Sequence, residues 1–297
     1  MKLKHLPLFL SGAVALLILS SCSPQTEAVP LSTSNIDNTS SLYQSENVQV
    51  TILEPAPQKN YNCYEWIDLH EETVFTKNSI IFSGNIKSIR EAVVEYEFMD
   101  VAVKDNITLL EVAITEIIHN SSNIEFPSDT VTVGLPYNDY TYGEGLPILE
   151  TGKSFLMFAY PTEGLENDSL ELSGYTDLWL NTPNQLLIEE VEGKYIAGSF
   201  FSNYLDSATS ISSHLDIPEL SSEVSLNTDI TYDLANMISS SAEDSTTLQT
   251  AIDLLSERIN PNNSEDMLWA LLSESHLIEK QEFEDIISNI AADYQGD

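Results

Sequence analysis

The chain has 297 residues, with 47 Asp+Glu against 11 Lys+Arg and a formal charge of −36. So few cations exclude nucleic acid as a partner, because that affinity grows with the number of phosphates neutralised, and the acidity repels anionic lipid headgroups. Two cysteines exclude a disulfide-dense scaffold, so the fold must rest on its hydrophobic core.

Lys2, Lys4 and His5 form a short basic head, followed by an apolar run over 6–19 that holds one serine, Pro7 and Gly12. A membrane span needs roughly 20 residues, and this run is shorter, which suits the apolar region of a signal peptide. The run stops at Leu19-Ser20-Ser21-Cys22. An ordinary secretory signal cut after small residues, with Cys22 incidental, is one reading. "LSSC" also resembles the bacterial lipoprotein signal, in which a branched apolar residue and two small residues precede a cysteine. That resemblance implies a diacylglyceryl group on the Cys22 sulfur and cleavage before it. It also implies attachment to the outer face of the bacterial cytoplasmic membrane, with two acyl chains giving a stable anchor. Loss of Lys2 and Lys4 with residues 1–21 leaves 9 Lys+Arg against 47 Asp+Glu, formally −38.

Lipidation of Cys22 leaves Cys63 alone, within "YNCYEW", where a free cysteine among aromatics reads as a small buried hydrophobe. Residues 22–55 form the next unit. Their first part, "SPQTEAVPLSTSNIDNTSSLYQSEN", has no apolar period and is expected to be a disordered tether.

Residues 56–205 read as strands. "EWIDLHEETVF" suggests a short helix ahead of them. "NSIIFSGNIKSI" carries Ile80, Phe82, Ile86 and Ile89 around Gly84, a bend or bulge. "ITLLEVAITEII" alternates Leu110, Val112 and Ile114 with Glu111, Ala113 and Thr115, the period of a strand with one buried face. "DTVTVGL" alternates likewise, and "KSFLMFAY" is a continuous apolar run suited to a buried strand. "QLLIEEV" and "KYIAGSFF" flank Glu192-Gly193, a tight hairpin turn. Short strands between Gly, Pro and Asn breaks suggest a closed or nearly closed antiparallel barrel. The order "SIIFSGNIKSI", "ITLLEVAITEII", "DTVTVGLP", "LETGKSFLMFAYP" resembles a β-barrel module of uncharacterised Gram-positive lipoproteins. That module is similar to the OB-like barrel of netrin and tissue-inhibitor domains. Those inhibitors ligate a protease metal through a free N-terminal cysteine, and here that cysteine is the lipid-bearing one. Protease inhibition is therefore not implied.

Residues 206–228 read as a polar connector and 229–297 as a C-terminal helical region. Ile230, Leu234, Met237 and Ile238 fall at helical spacing, and Leu248, Ala251, Ile252, Leu255 and Ile259 repeat it. Pro261 stops that helix, Asn263 or Ser264 caps the next, and Leu268, Leu271 and Leu272 line its face. Phe283, Ile286, Ile287 and Ile290 make the last stripe. Four short helices are expected to pack as a small bundle or against the barrel. "WALLSESHLIEKQEFEDIISNIA" resembles a short C-terminal helical hairpin of bacterial proteins, which implies oligomer or partner contacts. His276 stands where that family has a helix-closing glycine. The fold class is therefore α+β: a small OB-like antiparallel barrel, then a short-helix C-terminal segment, all behind a signal peptide and tether.

No Gly-x-Ser-x-Gly, HExxH or Gly-rich phosphate loop occurs, so the residues suggest no catalytic constellation, metal site or cofactor. The histidines after the signal, His70, His119, His214 and His276, are each more than 40 residues from the next. "PYNDYTYGEG" places Tyr137, Tyr140 and Tyr142 beside Asp139 and Glu144. Such aromatics with acids can stack on a sugar or grip a cationic peptide, or can fold onto the barrel. "LENDSLELSG" (165–174) is an acidic loop open to loose calcium binding or to solvation alone. The leading expectation is a non-catalytic, lipid-anchored protein that binds a protein, peptide or envelope component. The alternatives are an envelope hydrolase with a site assembled only in space, and a structural lipoprotein that self-associates through its C-terminal helices.

Overall fold

A computed structural model describes residues 40–53, 60–62, 69–75, 79–121, 124–126, 128–137, 141–143, 146–165, 169–214, 245–258 and 270–294. The fold is α+β. The expected signal peptide, Cys22, Cys63, the expected helical repeat at 230–238 and the expected caps around Pro261 lie outside these residues.

Two strands come earlier than the tether reading allows. β1 (Ser40–Gln44) and β2 (Val48–Ile52) form an antiparallel hairpin, so the 22–55 segment is not wholly a tether. The physical reason is the alternation of Val48, Val50 and Ile52, whose valines are sealed against Ala92, Val94, Ile107, Leu109 and Trp179. Tyr43 in β1 closes the contact by donating its hydroxyl to Glu171 at 2.8 Å.

β3 (Asn60–Asn62) is followed by α1 (Glu71–Val74), one turn at the end of the expected helix. β4 (Ile80–Phe98) and β5 (Val101–Asn120) then form one long hairpin. β4 shares one edge between two partners. Residues 80–85 pair with β8 (Ser154–Pro161), and residues 92–96 pair with β2. Gly84 lies at a register shift in the hairpin, as its place in the strand predicts. A Cβ there would sit 2.6 Å from Val112 Cγ1 and 2.8 Å from the Ala113 carbonyl oxygen, so only glycine lets the strands approach.

β6 (Thr130–Leu135) pairs with β5, and β7 (Thr141–Gly143) pairs in parallel with β3. β9 (Leu178–Trp179) links β6 to β8 through two residues on each side. Hydrogen bonding therefore runs β4–β5–β6–β9–β8 and returns to β4, with β9 far shorter than the others. Inside this circuit lie Ile80, Phe82, Ile86, Leu110, Val112, Val133, Phe155 and Met157, all fully buried or nearly so.

α2 (Pro183–Leu186) leads into β10 (Leu187–Val191), which pairs with β8 and, through the Glu192-Gly193 turn, with β11 (Lys194–Ala197). Both turn residues have positive φ, 49° and 83°, the geometry expected of a two-residue hairpin turn. The sheet then takes a strand that helical spacing does not foresee. β12 (His276–Glu279) pairs antiparallel with β11, so the C-terminal region is not a plain helical hairpin. His276-Leu277-Ile278 pairs as a strand because it completes an open sheet edge, a tertiary gain that local propensity does not register.

α3 (Ser245–Glu257) and α4 (Lys280–Asp293) pack against this extension, and a helical turn covers 270–274. Leu248, Ala251, Ile252 and Leu255 of α3 bury against Val191, Ile196, Ile211 and Leu272. Phe283, Ile287 and Ala291 of α4 join Tyr195, Ala197 and Ile278 in the main core. Because successive strand residues point to opposite faces, β10–β12 carry α3 on one face and α4 on the other. Part of the 206–228 connector belongs to the folded body too. Ser207–Thr209 and Ile211–His214 are 3-10 turns, and Ile211 is buried. No helix among the described residues is long and apolar enough to cross a membrane.

Candidate binding groove

The acids of β10 show how the C-terminal layer is held. Glu189 is buried, with one carboxylate oxygen 2.8 Å from Arg258 and the other 2.8 Å from Lys153. Arg258 follows α3, so this ion triad fastens that helix to the sheet. Glu190 points to the other face and takes Lys280, the first residue of α4, at 3.1 Å. Each helix is thus pinned through one of two adjacent carboxylates. Four of the chain's 11 Lys+Arg, counting Lys194 with Glu279 at 3.1 Å, serve this one layer.

Beneath α4, Glu284 is buried and accepts the Tyr195 hydroxyl at 2.8 Å. Burial pushes its carboxyl pKa up, against the downward pull of the Tyr195 hydrogen bond and Lys280. Tyr195 is pushed up too, chiefly by burial and then by its bond to Glu284. His276 is buried at the start of β12 between the Thr209 hydroxyl, 2.9 Å from Nδ1, and the Ser202 hydroxyl, 3.1 Å from Nε2. Burial holds its pKa below the ordinary value of 6.5, and it does the same to His119 on β5.

On the α3 side of β11–β12 lies a groove of about 450 Å³. Ala208, Leu248, Leu277 and Ile278 supply its apolar lining, and Lys194, Asp206, Thr209, His214, Glu279 and Glu282 its polar one. Period two places Lys194, Leu277 and Glu279 on the same face as α3. Asp206 caps the Ser207–Thr209 turn by accepting from the Ala208 amide at 2.9 Å, which fixes that wall. Thr209 is committed to His276, so a core contact stands directly behind the groove. The arrangement combines an apolar floor with three carboxylates and one already paired lysine, a surface for recognition of an amphipathic, cationic group.

The aromatic-acidic segment expected to bind is placed differently. Tyr137 is buried in the main core, its carbonyl accepting the Thr108 hydroxyl at 2.7 Å, and so offers no exposed ring. The reason is its position directly after β6, where the chain still lies against the sheet. Tyr142 pairs through its backbone with Tyr61, while Asp139, Tyr140 and Glu144 lie outside the described residues. In the 165–174 loop, Glu171 accepts from the Tyr43 hydroxyl and, at 3.2 Å, from the Asn47 side-chain Nδ2, so it braces the β1–β2 hairpin. Residues 166–168 of that loop lie outside the described ones.

The histidines do not come together. His70 is exposed beside α1, His119 is buried on β5, His214 is exposed on the groove rim, and His276 is buried in β12. Among the described residues no group of three His, Cys, Asp or Glu is placed to hold a metal ion. The groove residues missed by sequence reasoning carry no motif, because six elements spread over residues 194–282 contribute them. No protein-family model, curated protein or solved structure matches this chain.

Proposed function

We propose that this protein is a non-catalytic binding lipoprotein, held through a diacylglyceryl group on Cys22 at the outer face of the bacterial cytoplasmic membrane. The observation that carries the reading is the sequence Lys2–Cys22: a basic head, a short apolar run, then Leu-Ser-Ser-Cys. Its ligand is a protein, peptide or envelope component, and the mixed apolar and acidic groove beside β12 supports recognition over chemistry. The circuit β4–β5–β6–β9–β8 supports reading the sheet as a small OB-like barrel, with β10–β12 as an extension that displays the groove. The test is fractionation of cells that express the full chain or its Cys22→Ser variant, with radiolabelled palmitate as the lipid tracer. The full chain is expected in the membrane fraction carrying label, and the variant in neither state. Label and membrane retention that survive Cys22→Ser would overturn the anchor.

A further inference from the structure

Among the described residues the sheet ends at β12, and that end is only partly closed. One residue, Ser210, bridges its outer edge, at His276, and the Ile211 amide donates to the Ser275 carbonyl at 2.9 Å. Farther along, the Lys280 amide donates inward to the Gly193 carbonyl at 3.0 Å. Backbone groups of an antiparallel strand alternate in direction. Ser275 faces outward and Lys280 inward, so the Leu277 carbonyl and the Glu279 N–H also face outward. Neither has a backbone partner among the described residues. One residue of an extended chain can satisfy both, donating its N–H to the Leu277 carbonyl and accepting from the Glu279 N–H.

That open stretch borders the 450 Å³ groove. A chain laid along it would set an apolar side chain over Leu277 and Leu248. Its next groove-facing position would meet Asp206, Glu279 and Glu282, against which the one lysine among the described lining residues, Lys194, is already spent on Glu279. Unpaired strand edges are templates for added strands, where backbone bonds give affinity and flanking pockets give specificity. The charge of the pocket and of the whole chain selects a cation.

We propose that the outer edge of β12 at Leu277–Glu279, with the groove beside it, receives an extended cationic peptide segment as an additional strand. The proposal deepens the binding reading above and rests on it. It does not depend on the lipid, so a failed peptide test leaves the Cys22 experiment standing.

The probe is a fluorescein-labelled decapeptide with the repeat Val-Thr-Lys-Thr, so that valine and lysine alternate along one face, titrated by anisotropy against the full chain in detergent micelles. Two further peptides carry N-methyl groups on every second amide, one on the threonines and one on the valines and lysines. Successive N–H groups of an extended chain point to opposite edges, so one methylated register should bind about tenfold more weakly than the other. Glu282→Lys, an exposed change outside the ion pairs of β10, should also weaken the parent peptide about tenfold. Hydrogen exchange at the Glu279 amide should slow when the peptide binds. Equal binding of both methylated registers, or an unchanged Glu279 amide, would mean attraction to an acidic surface alone and would overturn the proposal. So would undiminished binding to Glu282→Lys.

Discussion

Glu189 and Arg258 meet at 2.8 Å in the interior of the C-terminal layer, and Lys153 holds the second carboxylate oxygen at the same distance. The triad is asymmetric. Two cations share one acid, so the acid is the member whose loss strands the most charge.

Breaking a buried ion pair by removing one partner costs about 3–5 kcal/mol, because the other charge is left without compensation. Glu189→Leu strands the buried Arg258 and leaves Lys153 with only the more distant Glu150, at 3.9 Å, and should fall at the upper end. Arg258→Met leaves Glu189 with Lys153 and should be clearly milder. The double variant Glu189→Leu/Arg258→Met should be less destabilised than Glu189→Leu alone. Urea unfolding of the three variants checks the order, and equal losses in both single variants would count against the triad.

Glu284 and Tyr195 give a prediction in pH. A carboxyl whose folded pKa lies above its unfolded value weakens the fold wherever it is ionised, and that penalty fades as pH falls toward about 4.5. Glu284→Gln keeps an acceptor for the Tyr195 hydroxyl and removes the buried charge. Its melting temperature should exceed that of the parent at pH 8, and the difference should vanish near pH 4.5. A variant less stable than its parent at pH 8 would show that Lys280 more than offsets burial.

The two buried histidines act in the opposite sense. Their folded pKa values lie below 6.5, so the unfolded chain takes up protons first as pH falls. Their contribution is complete above about pH 6.5 and is lost as pH drops through the folded values. His276→Gln retains partners for Thr209 and Ser202 without a titrating ring. Its thermal stability should decline less than the parent's between pH 7 and pH 5, as followed by circular dichroism. An identical decline would place the sensitivity elsewhere.

The hairpin turns permit a fourth test. Glu192-Gly193 uses glycine at one positive-φ position, whereas Met99 and Asp100, between β4 and β5, adopt φ 51° and 63° with no glycine. Such turns favour Asn-Gly, and left-handed backbone is costly for other residues. Met99→Asn/Asp100→Gly should therefore stabilise the protein by about 0.5–1 kcal/mol, measured by denaturant midpoint. The same change removes exposed Met99 from an apolar tip that includes Phe98 and Val101.

The elements legible in the sequence are those whose pattern matches their environment. Leu110–Ile114 and Val131–Val133 alternate because one side of each strand faces the core, and Leu248–Leu255 repeats at helical spacing because α3 lies on a sheet. The misread segments take their state from partners. β1–β2 sits in serine-rich sequence and becomes a hairpin because β4 offers residues 92–96 of its edge. His276–Glu279 follows a helical turn and becomes a strand because β11 lies open beside it. Tyr137 belongs to a tyrosine-rich segment, yet the end of β6 leaves it inside. The groove was invisible for a related reason. Lys194, Asp206, Leu248 and Leu277 have no common spacing, and only the pairing of β12 with β11 brings their elements together.

The mass of residue 22 in protein isolated from its native membrane tests the central claim most directly. A fragment that begins at Cys22 and carries the mass of a diacylglyceryl group on its sulfur is the predicted result. A free thiol at position 22, or a fragment that runs unbroken from Met1 through Cys22, would contradict it.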